Sequence, residues 1–145
     1  MKTLDARTVL VVARTAETRR DLGSWLQEEG EDVLMCPGPG APDYTCIGGR
    51  GECCVLAEAA DVVVIDLELA GDVAMAGTPG WQLFLHYVSL GKKVVAIVGS
   101  EDPLRPMPDD EVAVVRRPAE PGEILDAIRA LRAGVVYGRS VRSRR

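Results

Sequence analysis

Five short apolar runs divide the chain: Val9–Ala13, Asp32–Cys36, Asp61–Ile65, Lys93–Val98 and Val112–Val115. Most are rich in valine and continuous rather than alternating. That is the pattern of strands buried on both faces of a parallel sheet. Helical spacings lie between them. Thr15 or Thr18 can cap a helix that puts Leu22, Trp25 and Leu26 on one face and stops at Gly30. Thr78-Pro79 starts a second helix, with proline in its first turn and Gly91 at its end. Pro121 starts a third, in which Ile124, Ala127, Ile128 and Leu131 fall at i, i+3, i+4 and i+7 before Gly134. Alternation of strand and helix predicts βαβ units and a parallel sheet covered on both sides, an α/β fold.

The chain has 145 residues, of which 47% are hydrophobic and 27% charged. This suits one globular domain with a single core. Twenty-two acidic residues against 17 basic ones give a net charge of −5, which argues against a nucleic-acid-coating protein. No segment approaches the roughly 20 apolar residues that cross a bilayer. Val9–Ala13 is too short for the core of a signal peptide. The expected location is therefore cytoplasmic, without a membrane partner. Two connections break the strand–helix rhythm. Residues 37–52 (PGPGAPDYTCIGGRGE) are rich in Gly and Pro, so only Val55–Ala60 can form a short helix before the third strand. Residues 101–111 (EDPLRPMPDDE) carry three prolines, which makes a regular helix there doubtful. The expected organisation is one domain over residues 1–133, containing the loop 36–54, and a basic tail over 134–145.

In an open parallel sheet, ligands sit at the carboxyl ends of the strands. Those ends are Ala13-Arg14, Cys36, Asp66, Ser100 and Arg117-Pro118. With DVVVIDLELAG (Asp61–Gly71), VVAIVGS ending at Ser100, VAVVRRP ending at Pro118, and GWQL opening at Gly80, the chain resembles a response-regulator receiver domain over about residues 7–133. The resemblance implies a flavodoxin-like three-layer sandwich with a five-stranded parallel sheet of order 2-1-3-4-5. It makes Asp66 the phosphoacceptor, Ser100 the hydroxyl residue beside the phosphoryl group, and Arg117 the counterpart of the family's lysine. It also implies a pair of carboxylates holding Mg²⁺ at the end of the first strand, where this chain has Ala13 and Arg14. Mg²⁺ requires hard oxygen ligands, and phosphoryl transfer uses it to neutralise charge. Asp66 alone supplies too few, so ordinary phosphotransfer is not expected. Arg14 could instead pair with Asp66, placing a fixed cation where the metal would sit. The bland reading of Asp66 is a structural acid at a strand end.

All four cysteines, Cys36, Cys46, Cys53 and Cys54, fall within 19 residues. Three readings stay open. They could hold zinc or an iron–sulfur cluster, although no CxxC is present. They could form a disulfide that is regulatory or arises on oxidation. They could also be thiols packed as small apolar groups. His86, the only histidine, lies within a helical pattern and has no nucleophile at a useful spacing, so hydrolase chemistry is not expected. Trp81, beside Gly80, is a candidate for partner contact. The expectation is thus a signalling or protein-interaction domain without enzymatic turnover. It would act by direct contact with another signalling protein or as a homodimer. The alternative is a metal- or redox-sensing domain using the cysteine loop. A weaker third idea is an enzyme with a cysteine nucleophile.

Overall fold

Parallel pairing of all five apolar runs builds the molecule. The structure, a computed structural model, describes residues 8–13, 15–36, 55–67, 79–99 and 108–137. Strands β1 (Thr8–Val12), β2 (Asp32–Cys36), β3 (Val62–Asp66), β4 (Lys93–Val98) and β5 (Val112–Arg116) form one sheet of order β2-β1-β3-β4-β5. Every neighbouring pair is parallel. The order implied by the resemblance is the order found. Two strands end one residue later than their apolar runs, at Asp66 and Arg116, so the ladder carries a charged residue at each of those ends.

Among the described residues four helices cover the sheet: α1 (Ala16–Glu28), α2 (Val55–Ala59), α3 (Pro79–Ser89) and α4 (Pro121–Arg132). Thr15 is the N-cap of α1, and its hydroxyl accepts a hydrogen bond from the Thr18 amide at 3.2 Å. Pro121 opens α4, where the Glu120 amide donates to Glu123 Oε1 at 3.1 Å. Gly30, Gly91 and Gly134 follow α1, α3 and α4 with φ of 94°, 79° and 75°. Only glycine reaches that region without strain, which is why each helix stops there. Lys92 Nζ donates to the Ala60 carbonyl at 2.9 Å and so ties down the chain leaving α2.

Alternate strand residues face opposite layers. On one side Leu10, Val12, Val63 and Ile65 pack with Leu83, Phe84 and Tyr87 of α3. On the other, Val9, Val11, Val64 and Ile97 pack with Leu26 of α1 and Ile124, Ile128 and Leu131 of α4. Val62, Val63, Val64 and Ile65 are all at most 1% exposed, which explains why β3 reads as an unbroken apolar run. Each such side chain stabilises the fold by roughly 1.5–3 kcal/mol through burial.

The start of β5 is closed by a side chain. Asp109 Oδ1 accepts from the amides of Glu111 and Val112, each at 2.8 Å, and the Asp109 amide donates to the Val112 carbonyl at 2.9 Å. This occupies both outward-facing backbone groups of Val112 on the sheet's edge strand. No helix is present over residues 108–111; the remainder of the proline-rich segment lies outside the described residues.

The far pole is fixed by charge. Arg132 of α4 donates from Nε and Nη2 to the Asp61 carboxylate at 2.8 and 2.9 Å, and from Nη1 to Glu31 Oε2 at 2.8 Å. The Glu31 side chain is 1% exposed. Burial alone would lower the Arg132 pKa. The hydrogen bonds and charges of Asp61 and Glu31 outweigh it and hold the guanidinium above its ordinary value.

Past α4, Tyr137 packs against the α1/α4 layer. Burial, then the charges of Glu123 and Asp126, raise its phenol above the ordinary value of 10. A group whose pKa is raised on folding stabilises the fold fully below its unfolded value and loses that contribution as pH rises through the folded one. Stability is therefore expected to fall above pH 10. Thermal melts at pH 9 and pH 11 check this, and Tyr137→Phe should lessen the drop.

Candidate functional site

The carboxyl end of the sheet gathers Asp66 and Arg117 from positions 51 residues apart. Asp66 is the last residue of β3, in register with Ile97 of β4. Arg117 follows β5, and its amide donates to the Val98 carbonyl at 2.8 Å. The peptide bond between Arg117 and Pro118 is cis. Arg117 Nη2 donates to Asp66 Oδ1 at 2.7 Å. The two side chains are 27% and 22% exposed, so the pair sits at the surface end of the core. A charge-assisted bond this short fixes the carboxylate against a cation.

The exit of β1 is also held by an arginine. Arg19, on the first turns of α1, donates from Nη1 to the Ala13 carbonyl at 2.8 Å. Ala13 is 1% exposed, and its amide donates to the Cys36 carbonyl at 3.3 Å. The Thr15 hydroxyl donates to Thr18 Oγ1 at 2.8 Å, which sets the first turn of α1 beside the pair. Sequence reasoning named Thr18 only as a candidate helix cap and did not single out Arg19. Their signal was only a cap pattern and a basic residue in a first turn.

Gly80 shows why α3 can start so near Asp66. A Cβ at this position would fall on the Leu67 carbonyl oxygen and lie 2.7 Å from its carbonyl carbon. The helix therefore approaches the residue after Asp66 backbone to backbone. Leu67 is 1% exposed, and its amide donates to the Ile97 carbonyl at 3.1 Å.

A cavity of about 200 Å³ opens beside the pair, on the α1/α4 side of the sheet. Ile97 and Ile124 form its buried floor, with Leu22 and Ala119 on its walls. Asp66, Arg117 and Thr18 complete it.

Of the residues proposed from sequence, Asp66 and Arg117 are brought into contact. Arg14 and Ser100 lie outside the described residues, as do Cys46, Cys53 and Cys54. Cys36 ends β2 in register with Val12 and is buried, 2% exposed. Trp81 is half-buried, its ring 5.2 Å from that of Phe84, and packs against the α2/α3 layer. His86 lies in α3 near Tyr87.

Among the described residues the donors in place do not fit a Mg²⁺ site. Ala13 offers no side-chain ligand, and Asp66 is bonded to a guanidinium. Among the described residues no three His, Cys, Asp or Glu side chains gather in a way that could hold a metal ion.

The chain has the fold of response-regulator receiver domains. A response regulator receiver protein from Sinorhizobium medicae is 17% identical, with a TM-score of 0.57, and the match covers 90% of this chain and 98% of that one. A receiver domain protein from Clostridium thermocellum is also 17% identical, with a TM-score of 0.58, covering 87% and 94%. A CheY-like receiver domain protein from Methanospirillum hungatei is 14% identical, with a TM-score of 0.58, covering 89% and 96%. At these identities the likeness establishes the fold. No family model matches the chain, and no curated protein matches it. Among the described residues no helix is long and apolar enough to cross a membrane.

Proposed function

We propose that this chain is a divergent receiver-like signalling module that acts by contact with another signalling protein and does not run Mg²⁺-dependent phosphotransfer. In this reading Asp66, Ser100, Arg117 and Arg14 form a vestigial phosphoacceptor pocket within a module spanning residues 1–133, and 134–145 is a basic tail. The observation that carries it is the 2.7 Å bond from Arg117 to Asp66, with Ala13 at the exit of β1. A guanidinium already neutralises the carboxylate, and the strand end that would supply metal ligands has Ala13 there instead. The module has no turnover of its own, and its acidic balance disfavours nucleic acid as the partner.

Acetyl phosphate with Mg²⁺, followed by intact mass, tests the chemistry. No adduct of roughly 80 Da is expected. An adduct on the wild type that is lost in Asp66→Asn would show a working phosphoacceptor and overturn the reading.

A further inference from the structure

We infer that Met35 is an oxidation site, at which a hydroperoxide loosens α1 from the outer strand of the sheet. The inference rests on the contact between α1 and β2 and not on Asp66, so it goes beyond the reading above.

Position makes the sulfur accessible. β2 is an outer strand, paired with β1 alone among the described residues. Met35 lies near its end and is 46% exposed. Cys36, the next residue, is 2% exposed. Both carry sulfur, and on this strand solvent reaches the thioether residue and not the thiol. The other methionines, Met1, Met75 and Met107, lie outside the described residues.

The same side chain fills a gap in the packing. Val33 and Met35 share one face of β2, opposite to Leu34 and Cys36. That face is the α1 side, where Val33 joins the core beneath α1 and α4. There the strand meets Gly23, a buried residue of α1. A Cβ on Gly23 would lie 3.2 Å from Met35 Sδ, 3.5 Å from its Cε and 3.5 Å from Val33 Cγ1. The helix thus offers no side chain at this level. The thioether and the valine close the seam from the strand side. A thioether suits that task because it is apolar and adapts its shape.

Oxidation removes what makes it suitable. A hydroperoxide gives one oxygen atom to Sδ. The O–O bond breaks and an S–O bond forms. Sulfur loses two electrons, and the remaining peroxide oxygen takes up the proton and leaves as water or an alcohol. The sulfoxide is polar and chiral. Its oxygen needs hydrogen-bond donors, and the Val33 methyl group supplies none. Hydration therefore draws the side chain away from Gly23, and the seam loses its filling. The effect extends along the helix. Arg19, one turn before Gly23, donates to the Ala13 carbonyl at the exit of β1.

The test treats the full chain with hydrogen peroxide and locates the added oxygen by tandem mass spectrometry. Met35 is expected to gain about 16 Da in the folded chain before Cys36 is modified. The oxidised chain should melt about 3 °C below the untreated one. Methionine sulfoxide reductase with a thiol reductant should restore both mass and melting temperature, and the reductant alone should not. Met35→Leu keeps an apolar side chain of similar volume, so peroxide should leave its melting temperature unchanged. Met35→Gln places a polar group there without peroxide and should melt about as low as the oxidised wild type. Three results would each overturn the inference: Met35 left unmodified in the folded chain, oxidised Met35 with an unchanged melting temperature, or a peroxide effect in Met35→Leu equal to that in the wild type. The acetyl phosphate assay reads Asp66 and not Sδ, so the two readings can fail independently.

Discussion

Gly80→Ala is expected to lower the melting temperature by roughly 10 °C, which corresponds to about 3 kcal/mol for a chain of this size. The new methyl group has nowhere to go. It would fall on the Leu67 carbonyl oxygen, 2.7 Å from the carbonyl carbon and 3.2 Å from Cα. All three are backbone atoms next to β3, so no side chain can rotate out of the way. Leu67 is itself held by its hydrogen bond to the Ile97 carbonyl. Relief requires α3 to move away from the sheet, and that opens the packing of Leu83, Phe84 and Tyr87. Gly122→Ala is the matched control. It lies in the first turn of α4, and a Cβ there would have no neighbour within 4 Å. Alanine at this position should be neutral or slightly stabilising, by up to about 1 kcal/mol. Thermal denaturation of the two variants checks both statements, and equal melting temperatures would contradict the close approach at Gly80.

Arg132→Met is expected to cost about 3–5 kcal/mol, because it removes the cation bonded to a buried carboxylate. Glu31 is 1% exposed on its side chain, against 40% for Asp61. Asp61 can turn to water and Glu31 cannot. The informative comparison is the double variant Glu31→Leu with Arg132→Met. Replacing both residues with apolar groups removes the buried negative charge together with its cation, so the double variant should be more stable than Arg132→Met alone. Urea unfolding of the single and double variants reads this directly. A double variant less stable than the single one would mean that Arg132 acts chiefly through Asp61 or through packing of its stem.

The fold was legible because local signals agreed. Valine-rich runs, Thr15, Pro79, Pro121 and the glycines at 30, 91 and 134 each act within a few residues, and each marks an element found in the structure. Strand ends were less legible, since Asp66 and Arg116 continue the ladder beyond the last apolar residue. The site was legible as a set of strand ends and not as a set of bonds. Sequence reasoning grouped Asp66 with Arg117 and Arg14; Arg117 is bonded to Asp66, and Arg14 lies outside the described residues. Whether a basic side chain reaches a carboxylate depends on side-chain direction across strands, and spacing along the chain does not encode that. The Arg132–Glu31–Asp61 cluster went unnoticed for the same reason. Arg132 stands 101 residues from Glu31 and 71 from Asp61, so the cluster leaves no periodic trace. The cavity is assembled from four elements and a loop, so no single segment announces it.

The two faces of the sheet have a consequence for how signals could combine. Val9 and Val11 belong to one core, and Leu10 and Val12 to the other. Cys36 and Leu67 lie with the second core, while the cavity's Ile97 and Ile124 lie with the first. One layer of backbone thus partitions the interior into two compartments that share strands but no side-chain packing. A substitution at Cys36 and one at Ile124 would therefore disturb different cores. They meet at the exit of β3, where Asp66 and Leu67, adjacent in sequence, belong one to each compartment.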